Sequence, residues 1–207
     1  MRNLDSILAA SPVIPVLVID RVEEAVTIAE ALVAGGLPVL EVTLRTPAAL
    51  DVIRAMKSVE GAIVGAGTIL NVQGLDQAVA AGAEFAVSPG LTEALGRAAA
   101  EAPVPLLPGV ANASDIMRAL DLGFTRLKFF PAVASGGLAA MKGFSAVFGS
   151  VRFCPTGGIS LESAPDWLAI PTVACVGGSW LVPSGEALDP ARIRERAQAA
   201  AKLRPSP

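Results

Sequence analysis

Histidine is absent from all 207 residues. Catalytic zinc sites usually take histidine, and other metal sites need nitrogen or several hard ligands. Cysteine occurs twice, as Cys154 and Cys175, far from forming a ligand set on their own. A metal mechanism is therefore not expected, and nothing in the chain asks for a cofactor. Ser-His and Cys-His nucleophiles are excluded outright. Acid-base work must fall to carboxylates, lysine or water.

Long apolar runs are also missing. No stretch approaches the roughly 20 residues that a spanning helix needs, so no membrane association is expected. The opening MRNLDSILAASPVIPVLVID is interrupted by Asp5 and Ser6 and carries prolines, so it reads as mature protein rather than a leader. Charge is sparse, at 17% of residues and a net -3, with the basic residues scattered. Nucleic acid is not an expected partner. Both cysteines lie in apolar runs, which fits reduced core thiols in a cytoplasmic protein. No GxGxxG follows the first strand, so the usual dinucleotide fingerprint is missing. With no linker in view, residues 1–207 read as one domain.

What is present is alternation. A short helix capped by Asn3 or Asp5 runs through Ala10. Strands are expected over 13–19, 39–44, 62–67, 85–88, 105–110, 126–130, 152–155 and 173–176. Helices are expected over 22–34, 47–58, 71–81, 92–100, 114–122, within 137–148, over 161–168 and over 190–202, with residues 203–207 as a frayed tail. Thr46 is the expected cap of the helix at Pro47. The strands are near-continuous apolar runs, as for parallel strands buried on both faces. Eight strand-helix units favour an α/β fold closed as a (β/α)8 TIM barrel.

In such a barrel, polar residues at the C-terminal ends of strands are site candidates. Lys128 lies inside the apolar run RLKFFPA, and a buried lysine needs a reason. Desolvation disfavours the ammonium form, so it can serve as a nucleophilic amine. The plain alternative is that it snorkels or pairs with a carboxylate. In EVTLRTP, Glu41, Thr43 and Arg45 share strand parity and point to one face. Glu41 can pass protons and Arg45 can fork onto a substrate carboxylate. A structural Glu41–Arg45 ion pair is the alternative. Two glycine-rich turns, PTGGI with Thr156, Gly157 and Gly158, and GGSW with Gly178 and Ser179, follow strands seven and eight. Barrels often cradle phosphate there. Plain tight turns would look the same. The GAGT turn, with Thr68, and the Ser88-Pro89-Gly90 turn are weaker signals. Pro89 and Phe130 complete the candidate pocket wall. A lysine nucleophile, a proton-moving carboxylate, a carboxylate-binding arginine and a phosphate cradle together suit a phosphorylated 2-keto acid.

At this point the sequence resembles a known family. EVTLRTP, GAGTI, SPG, KFFPA, FCPTGGIS and GGSWLVP, in this order, resemble the KHG/KDPG aldolases, that is, 2-keto-3-deoxy-6-phosphogluconate aldolase of the Entner-Doudoroff route. The likeness spans about Val13 to Val182. It implies a (β/α)8 barrel, a metal-independent lyase and a homotrimer. It implies that Lys128 forms the Schiff base and Glu41 is the general acid/base. Arg45 and Thr68 would bind the pyruvate end, with Thr156 near the substrate, and Gly157, Gly158, Gly178 and Ser179 would hold the phosphate. The implied reaction yields pyruvate and glyceraldehyde 3-phosphate, with related activity on 4-hydroxy-2-oxoglutarate. One departure is Val133, which follows KFFPA where family members often carry an acidic residue; the expectation is a local difference in the loop. Thr156 favours the gluconate over the galactonate epimer. A phosphosugar isomerase, with Lys128 only binding charge and Glu41 as base, and a non-catalytic assembly barrel are the readings from other classes.

Overall fold

The computed structural model describes residues 3–203; residues 204–207 of the expected tail lie outside the described residues. Among the described residues nine strands alternate with helices, except that the fifth and sixth strands follow one another directly. The strands are β1 (Val13–Leu17), β2 (Val39–Thr43), β3 (Ile63–Gly67), β4 (Ala86–Val87), β5 (Leu106–Leu107), β6 (Gly109–Val110), β7 (Arg126–Phe129), β8 (Arg152–Pro155) and β9 (Val176–Gly178). The helices are α1 (Leu4–Leu8), α2 (Ala25–Ala34), α3 (Ala49–Met56), α4 (Val72–Ala80), α5 (Glu93–Glu101), α6 (Ala113–Asp121), α7 (Gly137–Val147), α8 (Ala164–Leu168) and α9 (Pro190–Ala201). A short 3-10 turn, Val22–Glu24, precedes α2.

The boundaries follow local chemistry. Asn71, Thr92, Asn112 and Asp189 each accept an N–H of the first turn of α4, α5, α6 and α9. Such caps contribute about 1 kcal/mol each. Gly82 and Gly123, at φ +87° and +84°, reverse the chain after α4 and α6. The N–H groups of Ala83 and Phe124 then return to the carbonyls of Ala78 and Ala119. That closes a Schellman turn and feeds each helix into the next strand within a few residues. Thr46 does not cap α3: its hydroxyl donates to the Ile19 carbonyl at 2.7 Å, pinning the loop after β2 to the end of β1.

All strand pairings are parallel, and the ladders form two curved pieces. One runs β5-β4-β3-β2-β1-β9 and the other β6-β7-β8. A single unbroken ring of eight strands is thus not what the hydrogen bonds draw. The first break lies at Pro108, which has no N–H to donate and divides the expected fifth strand in two. β5 pairs with β4, and β6 with β7. The second lies between β8 and β9, where only the bridges Phe153↔Val173 and Thr156↔Gly177 remain. Between them three steps on one strand meet four on the other, a bulge that interrupts regular pairing. The last ladder accordingly forms over β9, later than the expected 173–176.

The core has two parts. The larger lies between strands and helices, with Leu32, Leu40, Val64, Leu127, Phe129 and Phe153 fully buried. The smaller fills the concave side of the strands with Ile14, Val39, Ile63, Phe85, Leu107, Cys154 and Cys175, and Ile7 and Leu8 of α1 pack against it. Each such Leu, Ile or Phe contributes about 1.5–3 kcal/mol. Apolar filling at the strand starts leaves their C-terminal ends for polar groups.

Candidate functional site

Two charges sit on the concave side above this apolar plug. Lys128, in the middle of β7, is 5% exposed, and Glu41, in the middle of β2, is 3% exposed. Nζ of Lys128 donates to Oε1 of Glu41 at 3.0 Å and lies 3.4 Å from Oε2. The two residues are 87 positions apart, so only the closed-up tertiary fold brings them together. An isolated buried charge costs several kcal/mol, and here each charge answers the other. Of the two sequence readings of Lys128, the pairing with a carboxylate is the one the geometry displays. The pair also has a chemical use. Moving one proton from Nζ to Glu41 leaves a neutral amine beside an acid.

Several strands contribute its surroundings. The Phe130 ring lies 5.3 Å from Nζ, within cation-π range. Lys128 is in register with Gly109 on β6 and Cys154 on β8. A side chain at Gly109 would run into the backbone of Pro89 and Gly90, so the Ser-Pro-Gly turn rests directly on the strand beside Lys128. Thr156, 6% exposed, directs its hydroxyl to the Cys154 carbonyl at 3.4 Å. Thr68 follows β3, half-buried, at φ +60°, the one non-glycine residue with positive φ among the described residues. A β-branched residue in that region carries about 1–3 kcal/mol of strain, of the kind that concentrates at functional sites.

Arg45 is placed differently from its expected strand face. β2 ends at Thr43, and the Arg45 N–H turns back to the Thr43 carbonyl at 2.8 Å. Parity therefore stops at Thr43. Arg45 stands exposed at the mouth, with no ion-pair partner among the described residues. The alternative Glu41–Arg45 pair is replaced by Glu41–Lys128.

The two glycine-rich segments are side by side, joined by the Thr156↔Gly177 bridge. Gly157 and Gly158 form a true turn. Gly178 is instead inside β9 and buried, with the Trp180 ring filling the space of its missing side chain. Ser179 is exposed just beyond it. Ala132 N–H reaches the Thr156 carbonyl at 2.8 Å and Val133 N–H the Gly157 carbonyl at 3.1 Å. The loop after Lys128 is thereby clasped to the PTGGI turn. Val133, the departure from the family pattern, packs over Gly158.

The apolar floor of the site holds both cysteines, in the core where their apolar runs place them. Cys154 and Cys175 are free, buried thiols. The hydrogen bond with Cys154, then burial, push the Cys175 thiol well above its ordinary value, and the nearby Cys154 and Glu41 add to this. Such a thiol stays protonated and inert. Gly65 and Gly67 lie in β3, within the expected strand over 62–67, and the GAGT segment leaves the strand only at Thr68. Their signal was available: glycine inside a strand marks close approach by a neighbour. A cavity of about 1030 Å³ opens elsewhere, at the start of the strands, lined by Leu8, Arg152, Leu168 and Ile170. Its lining includes neither Lys128 nor Glu41.

Comparison with known proteins agrees with the motifs. Residues 4–195 match the family of KDPG and KHG aldolases. The structure of the 2-keto-3-deoxy-6-phosphogluconate aldolase of Zymomonas mobilis ZM4 with 3-phosphoglycerate is 58% identical, with a TM-score of 0.95, over 99% of this chain and 97% of that one. The KDPG aldolase from Legionella pneumophila, with pyruvate captured as a covalent carbinolamine intermediate, is 45% identical, with a TM-score of 0.94, over 97% and 98%. The KHG/KDPG aldolase of Escherichia coli K12 is 53% identical over 201 residues, 96% of this chain and 94% of that protein. The chain belongs to the KDPG and KHG aldolase family.

Proposed function

We propose that this chain is a metal-independent lyase that cleaves 2-dehydro-3-deoxy-6-phosphogluconate to pyruvate and glyceraldehyde 3-phosphate, and that it also splits 4-hydroxy-2-oxoglutarate to pyruvate and glyoxylate. The observation that carries this is the buried 3.0 Å contact between Lys128 Nζ and Glu41 Oε1. The amine adds to the C2 carbonyl, and loss of water leaves an iminium. Glu41 supplies and removes the protons of these steps, directly or through water. Removal of the C4 hydroxyl proton then breaks the C3–C4 bond. The bonding electrons enter the iminium as an enamine, and the aldehyde leaves. Protonation at C3 and hydrolysis release pyruvate and return Lys128.

The remaining roles follow position. Arg45 and Thr68 hold the keto-acid carboxylate at the mouth. Pro89, Phe130 and Thr156 wall the reacting carbons. Thr156 is the group we assign to the gluconate configuration. Gly157, Gly158, Gly178 and Ser179 receive the phosphate, supported by the bridge that aligns the two segments. Replacing Ser179 by alanine is expected to raise KM for the phosphorylated substrate roughly tenfold, one hydrogen bond to a charged group. Steady-state kinetics on both substrates checks this. An equal loss with 4-hydroxy-2-oxoglutarate would contradict the assignment.

Three further readings belong to the same proposal. The two sheet pieces act as one (β/α)8 barrel over residues 1–207, with the bridges and the Lys128 N–H to Pro108 carbonyl bond spanning the gaps. The protein works in the cytoplasm, where charged phosphate esters are retained and free thiols persist. No described helix is long and apolar enough to cross a membrane. The protein assembles as a homotrimer through α7, an apolar helix of which only Met141 is buried and Val147 is 74% exposed. Light scattering on the eluting protein is expected to give three chains, and Val147→Asp to shift it to one. A monomeric wild type would remove this part of the proposal.

A further inference from the structure

We infer that Gly67 is a positioning residue for the Glu41 carboxylate; the inference rests on Glu41 being the group that moves protons. On the concave side, Glu41 is in register with Gly65 and Thr43 with Gly67. Thr43 turns its hydroxyl away, to the Leu17 carbonyl at 2.8 Å. The Glu41 side chain does not stand upright over its own strand. It lies across β3 at Gly67, and from there Oε1 reaches Lys128 Nζ.

A methyl group at position 67 would occupy that path. It would overlap Oε1 of Glu41 and fall 2.7 Å from Cγ and 2.8 Å from Cδ. Real side chains do not approach so closely, so the carboxylate has to leave. Its retreat is limited. The space above Gly65 is filled by the Phe85 ring, and Cys154 and Cys175 form the apolar floor. The 3.0 Å contact with Lys128 is then lost or lengthened. Gly67 itself is in extended strand backbone, outside the glycines with positive φ, so alanine meets no backbone strain there. The nearest atoms it would meet belong to Glu41 alone.

This makes Gly67→Ala a probe of carboxylate placement. A displacement of about 1 Å at a reacting group costs roughly 10²-fold, so kcat is expected to fall by that order. KM is expected to change less than about threefold, because Arg45 and the phosphate contacts lie on other segments and alanine at 67 fits the extended strand backbone that leads into Thr68. The decisive measurement is a double-mutant cycle with Glu41→Ala, which removes the three atoms that clash. If Gly67 acts through Glu41, adding Gly67→Ala to Glu41→Ala costs almost nothing further. Additive losses, or a folded Gly67→Ala enzyme with wild-type kcat, overturn the inference. If Gly67→Ala alone does not fold, the double variant decides. A folded double variant supports the clash with Glu41, and an unfolded one overturns it. A Glu41→Ala enzyme with wild-type turnover is a different failure. It removes the assignment of Glu41 itself, and Gly67 with it.

Discussion

Replacing Lys128 by alanine is expected to lower cleavage of 2-dehydro-3-deoxy-6-phosphogluconate by at least about 10⁴-fold, since among the described residues no second lysine is buried to form the covalent intermediate. The fold is expected to survive, because β7 is held by parallel pairing on both sides and by the Leu127 and Phe129 side chains on its opposite face. Stability is a separate expectation. The variant leaves Glu41 buried without its partner, a loss of about 3–5 kcal/mol when one half of a buried pair is removed. For a chain of this size that is a Tm lower by roughly 6–20 °C. Adding Glu41→Gln to Lys128→Ala removes the orphan charge and is expected to restore part of the Tm. Coupled-assay kinetics and calorimetry read both effects. Turnover near wild type would end the imine mechanism, and an unchanged Tm would show that Glu41 does not depend on Lys128.

Glu41→Gln carries the second-largest expected effect. The amide keeps the shape of the side chain over Gly67 and can still contact Nζ, but it cannot take a proton. kcat is expected to fall by about 10²–10⁴-fold, the usual contribution of general acid-base catalysis. Binding of the keto acid should persist, because Arg45 and Thr68 lie outside the substitution. Rapid mixing with pyruvate should show the imine forming more slowly and still reaching completion. A normal rate of imine formation with slow cleavage would confine Glu41 to the carbon-carbon step. A normal rate in both would pass its role to another group.

Much of the site was legible in the sequence because its chemistry demands unusual residues in unusual places. Lys128 in an apolar run and Glu41 in a strand both violate ordinary burial, and only mutual pairing explains them. What sequence spacing could not convey was the partner: 87 residues separate the two, and Arg45 was the nearer candidate in sequence. Arg45 itself shows where strand parity ends. One backbone turn at Thr43 moves it from the inner face to the mouth. The cap Asn3 was readable because it acts within a turn, whereas Thr46 was drawn off by a carbonyl 27 residues away. The broken fifth strand follows from Pro108, whose missing donor is local but whose effect on the whole ladder is not. The inner glycines of β3 lie in the expected strand, but glycine alone does not say which neighbour fills its space. That neighbour, the Glu41 side chain at Gly67, is a tertiary fact.

The central claim is that Lys128 carries the reaction as a covalent imine. Incubating the protein with pyruvate, adding borohydride and mapping the intact mass and peptides tests it most directly. The account predicts one reduced pyruvate per chain, on Lys128, and none on Lys128→Ala. A folded protein that stays unmodified would contradict it, and would favour a barrel in which Lys128 binds charge while Glu41 acts alone as base.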